Sequence, residues 1–532
     1  MLTVVVKDKL HRLIRVILPF LKSRAGVLSI SSAAILAALY SLVQKFNRPP
    51  SQLRHLPYVD RFTFLKYGFK DIPYDQYGKE KLLPLLKAGT NGIYLRCTVE
   101  GWSVRLANPI AIKQFTLKQE YTFPKATNNG GVEGSLIKKF LGGPNIVFLS
   151  GADWKRHRKI ANLAFQRSMP IKLFGKLTKK MFESMEDLGY DNVDVNDLFQ
   201  RFTLDAIGIG GFGFDFNALG DKDSQWVRNY ESIMQGMASP FFIAFPAFDT
   251  TYRHWFKKRL EVHNNLDMFL DNIDKMIEQK RKNVHDNVET NSSDEEKDLL
   301  TLMIESETKG AGERMSDEEL RSNLCIFFLA GHDTTANTLA AILYELAKHP
   351  EIQERARQEA IRILGDSSED IVPTFDQLKE LSYINMIIKE TLRRHPPAYA
   401  TTDRVTQEDL MLGGMHIPKG SGLAIDIYLL HHNPDVWADP FEFKPERFAP
   451  GGEAEHQKGI AWAPFSNGGR QCVGMNFSLT EQRVLIPMLL KKFTWTLPKD
   501  SPHKEELLKR GIAWGLVTFS DKVKINFKKR HS

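Results

Sequence analysis

A cysteine closes the glycine-rich run Phe465-Ser-Asn-Gly-Gly-Arg-Gln-Cys-Val-Gly474, where a helical pattern begins over Val473–Lys492 with apolar residues at Phe477, Val484, Leu485, Met488 and Leu489. A thiol in that place has two reasons to ionise. Free N–H groups at a helix N-terminus favour negative charge, and a nearby cation lowers a thiol pKa. Gly468, Gly469 and Gly474 carry no Cβ, so backbone amides can close on the sulfur. Arg470 has positive charge to give, either to this loop or to an anionic group bound beside it. The expected species at Cys472 is therefore a thiolate; the alternative is an inert cysteine buried in a turn.

Two further groups have chemistry in their spacing. In Ala330-Gly-His-Asp-Thr-Thr335 a glycine, an acid and two threonines interrupt a strong helical pattern. Threonine hydroxyls there can bond back to carbonyls four residues earlier and bend the axis. In Trp154-Lys-Arg-His-Arg158 the i, i+4 spacing puts Trp154 and Arg158 on one helix face. By itself that segment also reads as a plain basic amphipathic helix.

The cysteine run matches F-x-x-G-x-R-x-C-x-G at Phe465, Gly468, Arg470, Cys472 and Gly474, and so resembles the haem-binding loop of the cytochrome P450 family. Ser466 stands where a glycine is often found. The resemblance implies haem b with Cys472 as the thiolate ligand of iron. Trp154 and Arg158 then resemble the helix that meets a haem propionate, Arg404 resembles a second propionate-binding arginine, and Asp333 with Thr334 matches the pair that delivers protons. Glu390-Thr-Leu-Arg393 resembles the family's E-x-x-R helix, 82 residues before the cysteine. Arg447 in Phe443-Lys-Pro-Glu-Arg-Phe448 would complete its buried ion network, a folding role.

The activity so implied is insertion of one atom of O2 into a C–H bond of a hydrophobic small molecule: a steroid, fatty acid, terpenoid or xenobiotic. Nothing in the chain resembles a flavin or nicotinamide domain, so electrons come from a partner, NADPH–cytochrome P450 reductase, with cytochrome b5 as a further donor. Lys155, Arg156 and Lys159 are candidates for docking it. By family position the pocket walls are Phe123–Phe148, Met234–Phe248, Phe327–Ala330, Pro397–Thr401 and Trp514–Leu516. A reductase-independent enzyme that rearranges peroxides, or a non-catalytic haem sensor, are the other readings; the first of these has no need of Asp333 and Thr334. Two motifs mislead. Gly208-Ile-Gly-Gly-Phe-Gly213 has dinucleotide spacing, but a helix runs into it where a strand should. His431-His432 suggests a metal pair, yet adjacent side chains diverge, and both are read as loop residues.

These groups need a frame, and the pattern is helix-rich. Asn108-Pro109 reads as an N-cap followed by proline at the first helical position. Ser316-Asp-Glu-Glu319 is a capping box, opening a helix that runs to His349 before Pro350. Strand patterns are short: Gly92–Thr98, Trp102–Leu106, Leu410–Ile417, Gly422–Ile427 and Ala513–Phe519. The expected class is mainly α (an α-rich α+β), the P450 fold: one haem-containing helical body over residues 63–532 with small peripheral β-sheets, plus an N-terminal transmembrane helix.

Residues 25–44 hold no charge, and twenty helical residues span roughly 30 Å, about one hydrocarbon thickness. A retained anchor is the favoured reading over a cleaved signal or a buried helix. Residues 1–24 form a basic amphipathic segment and residues 45–62 a proline-rich hinge. Of the net charge of +8, five charges lie in residues 1–24, so the body is near neutral and a nucleic-acid partner is excluded. Three widely spaced cysteines, Cys97, Cys325 and Cys472, point to a reducing compartment. Charge alone mildly favours a cytosolic amino terminus. The cysteines outweigh it, and the expected location is the endoplasmic reticulum membrane, single-pass, with the catalytic domain cytosolic. A glycan on Asn291, in an acceptor triplet, would contradict this.

Overall fold

Ser316 opens the longest helix as its sequence requires. Its hydroxyl accepts the Glu319 N–H while the Glu319 carboxylate accepts the Ser316 N–H, and the helix runs Asp317–Lys348 to the His349-Pro350 stop. The structure, a computed structural model, describes residues 36, 39–70, 72–87, 91–98, 101–117, 123–126, 131–221, 223–286, 297–309, 314–510, 519–520 and 522–531. In chain order the elements that bear on the site begin with the hairpin of β1 (Ile93–Thr98) and β2 (Gly101–Leu106). There follow α1 (Pro109–Leu117), α2 (Gly151–Arg167), α3 (Val195–Ile207), α4 (Gln225–Met237), α5 (Lys257–His285) and the long helix α6 (Asp317–Lys348). The last are α7 (Ser382–Arg394), β3 (Arg404–Val405), β4 (Gly422–Ile425), α8 (Ile427–His432) and α9 (Met475–Lys492).

The main sheet has the order β1-β2-β4-β3. β2 pairs in parallel with β4, Ser103 opposite Gly422 through Leu106 opposite Ile425, so the sheet draws together segments far apart in the chain. A separate sheet joins Val193–Asp194, Lys524–Lys529 and Phe493–Thr496. The expected helix-rich class with small sheets is the one observed. Asn108 caps α1 by accepting the N–H groups of Ile110 and Ala111.

The core is built around α6, and most of the phenylalanine serves it. Phe328 packs against Phe212, Phe216 and Phe269, and Phe327 meets Phe165 edge-on at 5.3 Å. A second cluster, including Leu95, Val104, Phe115 and Ile425, lies under the main sheet. Each such side chain contributes about 1.5–3 kcal/mol on burial. The dinucleotide-like glycines are a helix end: α3 runs into Gly208–Phe212, and Gly213 closes it at φ 69°.

One expectation needs correction, and another falls mostly outside the described residues. His431 and His432 are not loop residues; they form the last turn of α8 and are fully buried. Asp426 caps that helix by accepting the Leu429 N–H, and six residues are too few to show a helical period. The two rings do diverge: His431 Nε2 accepts from the Ala463 N–H, and His432 Nδ1 donates to the Tyr428 carbonyl. The expected transmembrane helix at 25–44 is not seen, because only residue 36 and residues 39–44 of it are described. Residues 39–47 are helical with Leu39, Tyr40, Leu42 and Val43 exposed, and among the described residues no helix is long and apolar enough to cross a membrane. Asn291 and Trp514–Leu516 also lie outside the described residues.

Between α7 and the segment leading to Cys472 sits a buried ion network, as the spacing implied. Arg393 clasps Glu390 with two bonds of 2.7 and 2.8 Å, and Arg447 Nε reaches the same carboxylate at 3.3 Å. Arg393 also donates to the carbonyls of His431 and Pro440, and Arg447 to that of Asp439. Arg447→Ala strands part of this charge in the interior, and it is expected to lower unfolding stability in denaturant by about 3–5 kcal/mol. The exposed pair Lys282–Glu278 serves as the comparison; its removal should change stability by about 0.3–0.5 kcal/mol.

Candidate active site

The cysteine loop is closed by its own backbone. The Cys472 N–H donates to the Phe465 carbonyl at 2.9 Å, Ser466 N–H to Ala463, and Gln471 N–H to Gly468. Gly468 has φ 69°, and a Cβ there would stand 2.3 Å from the Thr116 carbonyl oxygen of α1, so a side chain is barred by both conformation and space. A Cβ on Gly469 would touch the Trp154 ring at 3.4 Å, whereas one on Gly474 would make only ordinary contacts. Of the three free cysteines, Cys97 and Cys325 are buried and Cys472 is exposed. Cys472 nonetheless lies deep among protein atoms, so its open face is an internal one.

The thiol departs from expectation. Burial pushes its pKa up, and the Gly474 N–H and Arg158 only partly offset this. Helix end and cation are both present, but desolvation outweighs them. Metal coordination, which deprotonates a thiol outright, is what would make the thiolate. The cation is also a different one. Arg158 of α2 donates to the Gln471 carbonyl at 2.6 Å and acts on the sulfur. Arg470 turns away, donating to the carbonyls of Ile146 and Leu149, with its guanidinium 4.1 Å over the Trp154 ring. Arg404 is buried in β3 with its guanidinium 5.0 Å over Phe115 of α1, the helix whose Thr116 carbonyl touches Gly468. Trp154, Arg158, Arg470 and Arg404 thus gather around one loop.

Sequence reasoning missed what holds α2 in place. Arg156, expected on a docking surface, pairs with Glu319 at 2.5 Å, and His157 Nε2 lies 3.2 Å from the same carboxylate. Asn323 donates to His157 Nδ1 and accepts the Ile146 N–H, next to the carbonyl that takes Arg470. The hydrogen bond from Arg156 pulls the Glu319 pKa down to about 2, so this clamp stays charged at every ordinary pH. The capping box was the available signal, since it placed Glu319 at the start of α6. Lys155 and Lys159 remain exposed.

Midway along α6 the buried face opens. Ser322–Phe328 are buried, Ala330 is exposed, and Gly331 and Thr334 are half-buried. Thr334 Oγ1 donates back to the Ala330 carbonyl at 2.5 Å, and Thr338 repeats the pattern to Thr334 at 2.8 Å. The helix stays continuous through these bonds. Asp333 is buried beside His332. The hydroxyls of Thr335 and Ser478 of α9 lie 2.9 Å apart, and Phe165 lies between Phe327 of α6 and Gly474, so this turn and the cysteine loop share a frame. Within the stretch Met234–Phe248, expected as a pocket wall, the aromatic side chains differ in burial. Phe241 and Phe245 are exposed, in an aromatic cluster with Phe248 and Phe256.

A haem would bring an iron in need of a protein ligand, two carboxylates and broad apolar faces. Cys472 supplies one sulfur, and among the described residues no three His, Cys, Asp or Glu side chains gather as a chelating site. An iron held here would have to arrive within its own macrocycle. Arg158, Arg470 and Arg404 with Trp154 suit its carboxylates, and Phe165, Phe327 and Phe465 suit its faces. The residues fit the group. One position carries strain: Ser466 sits at φ 58°, left-handed space that costs a non-glycine residue about 1 kcal/mol. Ser466→Gly should raise stability by up to about 1 kcal/mol, read as slower thermal loss of the haem–thiolate spectrum.

The comparisons with known proteins agree with this geometry. The family model for cytochrome P450 matches residues 102–527. The chain is 31% identical over 423 residues to cytochrome P450 4F3 of Rattus norvegicus, covering 76% of this chain and 78% of that one. It is 31% identical over 389 residues to leukotriene-B4 omega-hydroxylase 3 of Mus musculus, covering 70% and 72%. The solved heme domain of cytochrome P450DA superposes with a TM-score of 0.73 at 24% identity, over 91% of this chain and 99% of that one. A likeness that spans most of the chain, with Cys472 inside the matched range, makes this protein a member of the cytochrome P450 family.

Proposed function

We propose that this P450 monooxygenase hydroxylates a hydrophobic, lipid-like molecule, with long-chain fatty acids and their oxygenated derivatives as the first class to test. The observation that carries the reading is Cys472 with an open face, framed with the turn of α6 that joins buried Asp333 to the Thr334 hydroxyl. A haem bound at Cys472 supplies the activation of O2 and its insertion into a C–H bond. The chain's own tasks are narrower. The Gly474 N–H and Arg158 favour negative charge on the sulfur. Trp154, Arg158, Arg470 and Arg404 would hold the propionates. Thr334 spends its proton on the Ala330 carbonyl, which leaves its oxygen free to accept from a water or from Asp333. A peroxide rearrangement consumes no proton and has no use for that pair. The substrate class is supported by the leukotriene hydroxylase among the relatives.

Electrons would come from a separate NADPH-dependent flavoprotein reductase, with cytochrome b5 as a further donor, docking beside exposed Lys155 and Lys159. The exposed apolar side chains of residues 39–43 support an anchor in the endoplasmic reticulum membrane with the body on the cytosolic side, as do three cysteines that form no disulfide.

Reduced enzyme under CO should show the red-shifted thiolate band, and Cys472→Ser should abolish it; a band unchanged in that variant would end the haem–thiolate reading. A long-chain fatty acid should induce a high-spin shift in the resting enzyme. Thr334→Ala should keep that shift but divert NADPH oxidation from product to peroxide, and unchanged coupling would remove its role. Removing residues 1–44 should release the protein from membranes at alkaline pH.

A further inference from the structure

Asp249 is the single acid from Ser232 to Leu260, a stretch rich in aromatic residues, and it is buried. Its carboxylate is fully engaged. Arg259 of α5 donates from Nε to Oδ1 at 2.5 Å and from one terminal nitrogen to Oδ2 at 2.6 Å. His263, one turn further along α5, has Nε2 2.8 Å from Oδ1. The fourth donor comes from a distant segment: the backbone N–H of Leu136 reaches Oδ2 at 3.0 Å across 113 residues of sequence. Arg259 spends its other terminal nitrogen on the Gly236 carbonyl at the end of α4, 2.6 Å away, and its guanidinium lies 4.2 Å from the centre of the Phe242 ring. A Cβ on Gly236 would crowd this approach, standing 2.8 Å from Val262 and 3.0 Å from Leu136.

The hub joins the two stretches expected as pocket walls, 123–148 and 234–248. Leu136 opens the short helix Leu136–Leu141, and the chain runs on to Ile146 and Leu149, whose carbonyls hold Arg470 of the cysteine loop. α4 leads the other way: its Tyr230 ring lies 5.4 Å from that of Phe328, two residues before exposed Ala330 of α6. The contacts form a circuit from the cysteine loop through residues 136–149, Asp249 and Arg259 to α4 and the open turn of α6. Two other contacts cross the same gap, the Lys139–Asp267 pair and the rings of Phe140 and Phe269, but both end on α5. Only the Asp249 carboxylate, among these contacts, ties the connection between α4 and α5 to Leu136. Buried ion pairs add little net stability over apolar packing, so the geometry this one fixes is its better explanation.

We infer that Asp249 is a positioning residue for substrate: it latches the connection between α4 and α5 to Leu136, and so sets how fast a molecule enters and leaves the space over the open turn of α6. The inference rests on the monooxygenase reading of that turn, and Asp249 takes no part in the chemistry at Cys472. The Leu136 bond is the joint that opens, because Leu136 is the one donor outside α5. With the bond made, the two walls are held in one frame around a bound molecule. With it broken, Asp249 stays with Arg259 and His263, and the wall that Leu136 begins is free to part from them.

Asp249→Asn keeps the size of the side chain and removes its charge. In the haem-loaded protein the CO spectrum should be unchanged. Phenylimidazole, which ligates haem iron whatever the natural substrate is, should leave the variant about tenfold faster, the loss expected for one charge-assisted hydrogen bond. Palmitate, followed by its spin shift, should also leave faster, and its KM should rise about tenfold while kcat holds. A defect of folding alone would lower haem content and kcat together and would not split KM from kcat. Hydrogen exchange at the Leu136 amide should quicken in the ligand-free variant. Unchanged release of phenylimidazole overturns the inference, whether or not that exchange quickens; so does a fall in kcat at unchanged KM. If palmitate gives no spin shift in the wild type, the fatty-acid reading fails, and the release of phenylimidazole still decides the latch. Should D249N not retain haem, the double variant Asp249→Leu with Arg259→Leu strands no charge in the interior. It should show the same faster release, and release as slow as in the wild type overturns the inference.

Discussion

One sulfur has to carry negative charge in the interior of a helical body, and most of the structure follows from that constraint. Burial works against the thiolate at Cys472 and, in the chain itself, prevails. The Gly474 amide and Arg158 reduce the penalty. The loop that presents the sulfur cannot be allowed to relax: Phe465 and Cys472 close it through the backbone, and Gly468 is pressed under the Thr116 carbonyl. That contact ties the loop to α1, and Arg404 on Phe115 ties α1 to the main sheet. The parallel pairing of β2 with β4 thus serves the site at a distance.

Two charged hubs carry the rest of the positioning. Glu390 collects Arg393, Arg447 and the Lys444 N–H, and through the two arginines it fixes the carbonyls of His431, Asp439 and Pro440 on the way to the cysteine. Glu319 collects Arg156, His157 and the Ser316 N–H, and so locks the helix of Trp154 and Arg158 to the start of α6. Removing a member of either hub would leave charge stranded in the interior or half-interior, which is why such networks fix geometry more than they add stability.

What was legible in the sequence was whatever acts over a few residues. The capping box, the Asn108 cap, the E-x-x-R face and the cysteine run all depend on spacing along one element. Partners brought together by the fold were not legible. The sequence reading gave Arg470 as the cation of the cysteine loop and Arg158 to a propionate, and only packing shows that Arg158 acts on the sulfur. Arg156 read as surface charge because Glu319 lies 163 residues away. The buried turn at His431 and His432 was hidden by its brevity, since six residues complete fewer than two helical turns.

Three acids of the frame, buried Glu390, half-buried Glu319 and buried Asp333, differ in their partners, and the difference sorts their roles. Glu390 faces two guanidiniums, which never give up their protons under ordinary conditions. Glu319 faces one guanidinium, the His157 imidazole and a helix-capping N–H, and it is held ionised far below neutrality. Asp333 has the His332 imidazole 3.1 Å away and, among the described residues, no guanidinium. An acid that must hold a helix is given a permanent cation, whereas the acid beside Thr334 is given none among the described residues. A guanidinium beside Asp333 would pin a charge there as it does at Glu390.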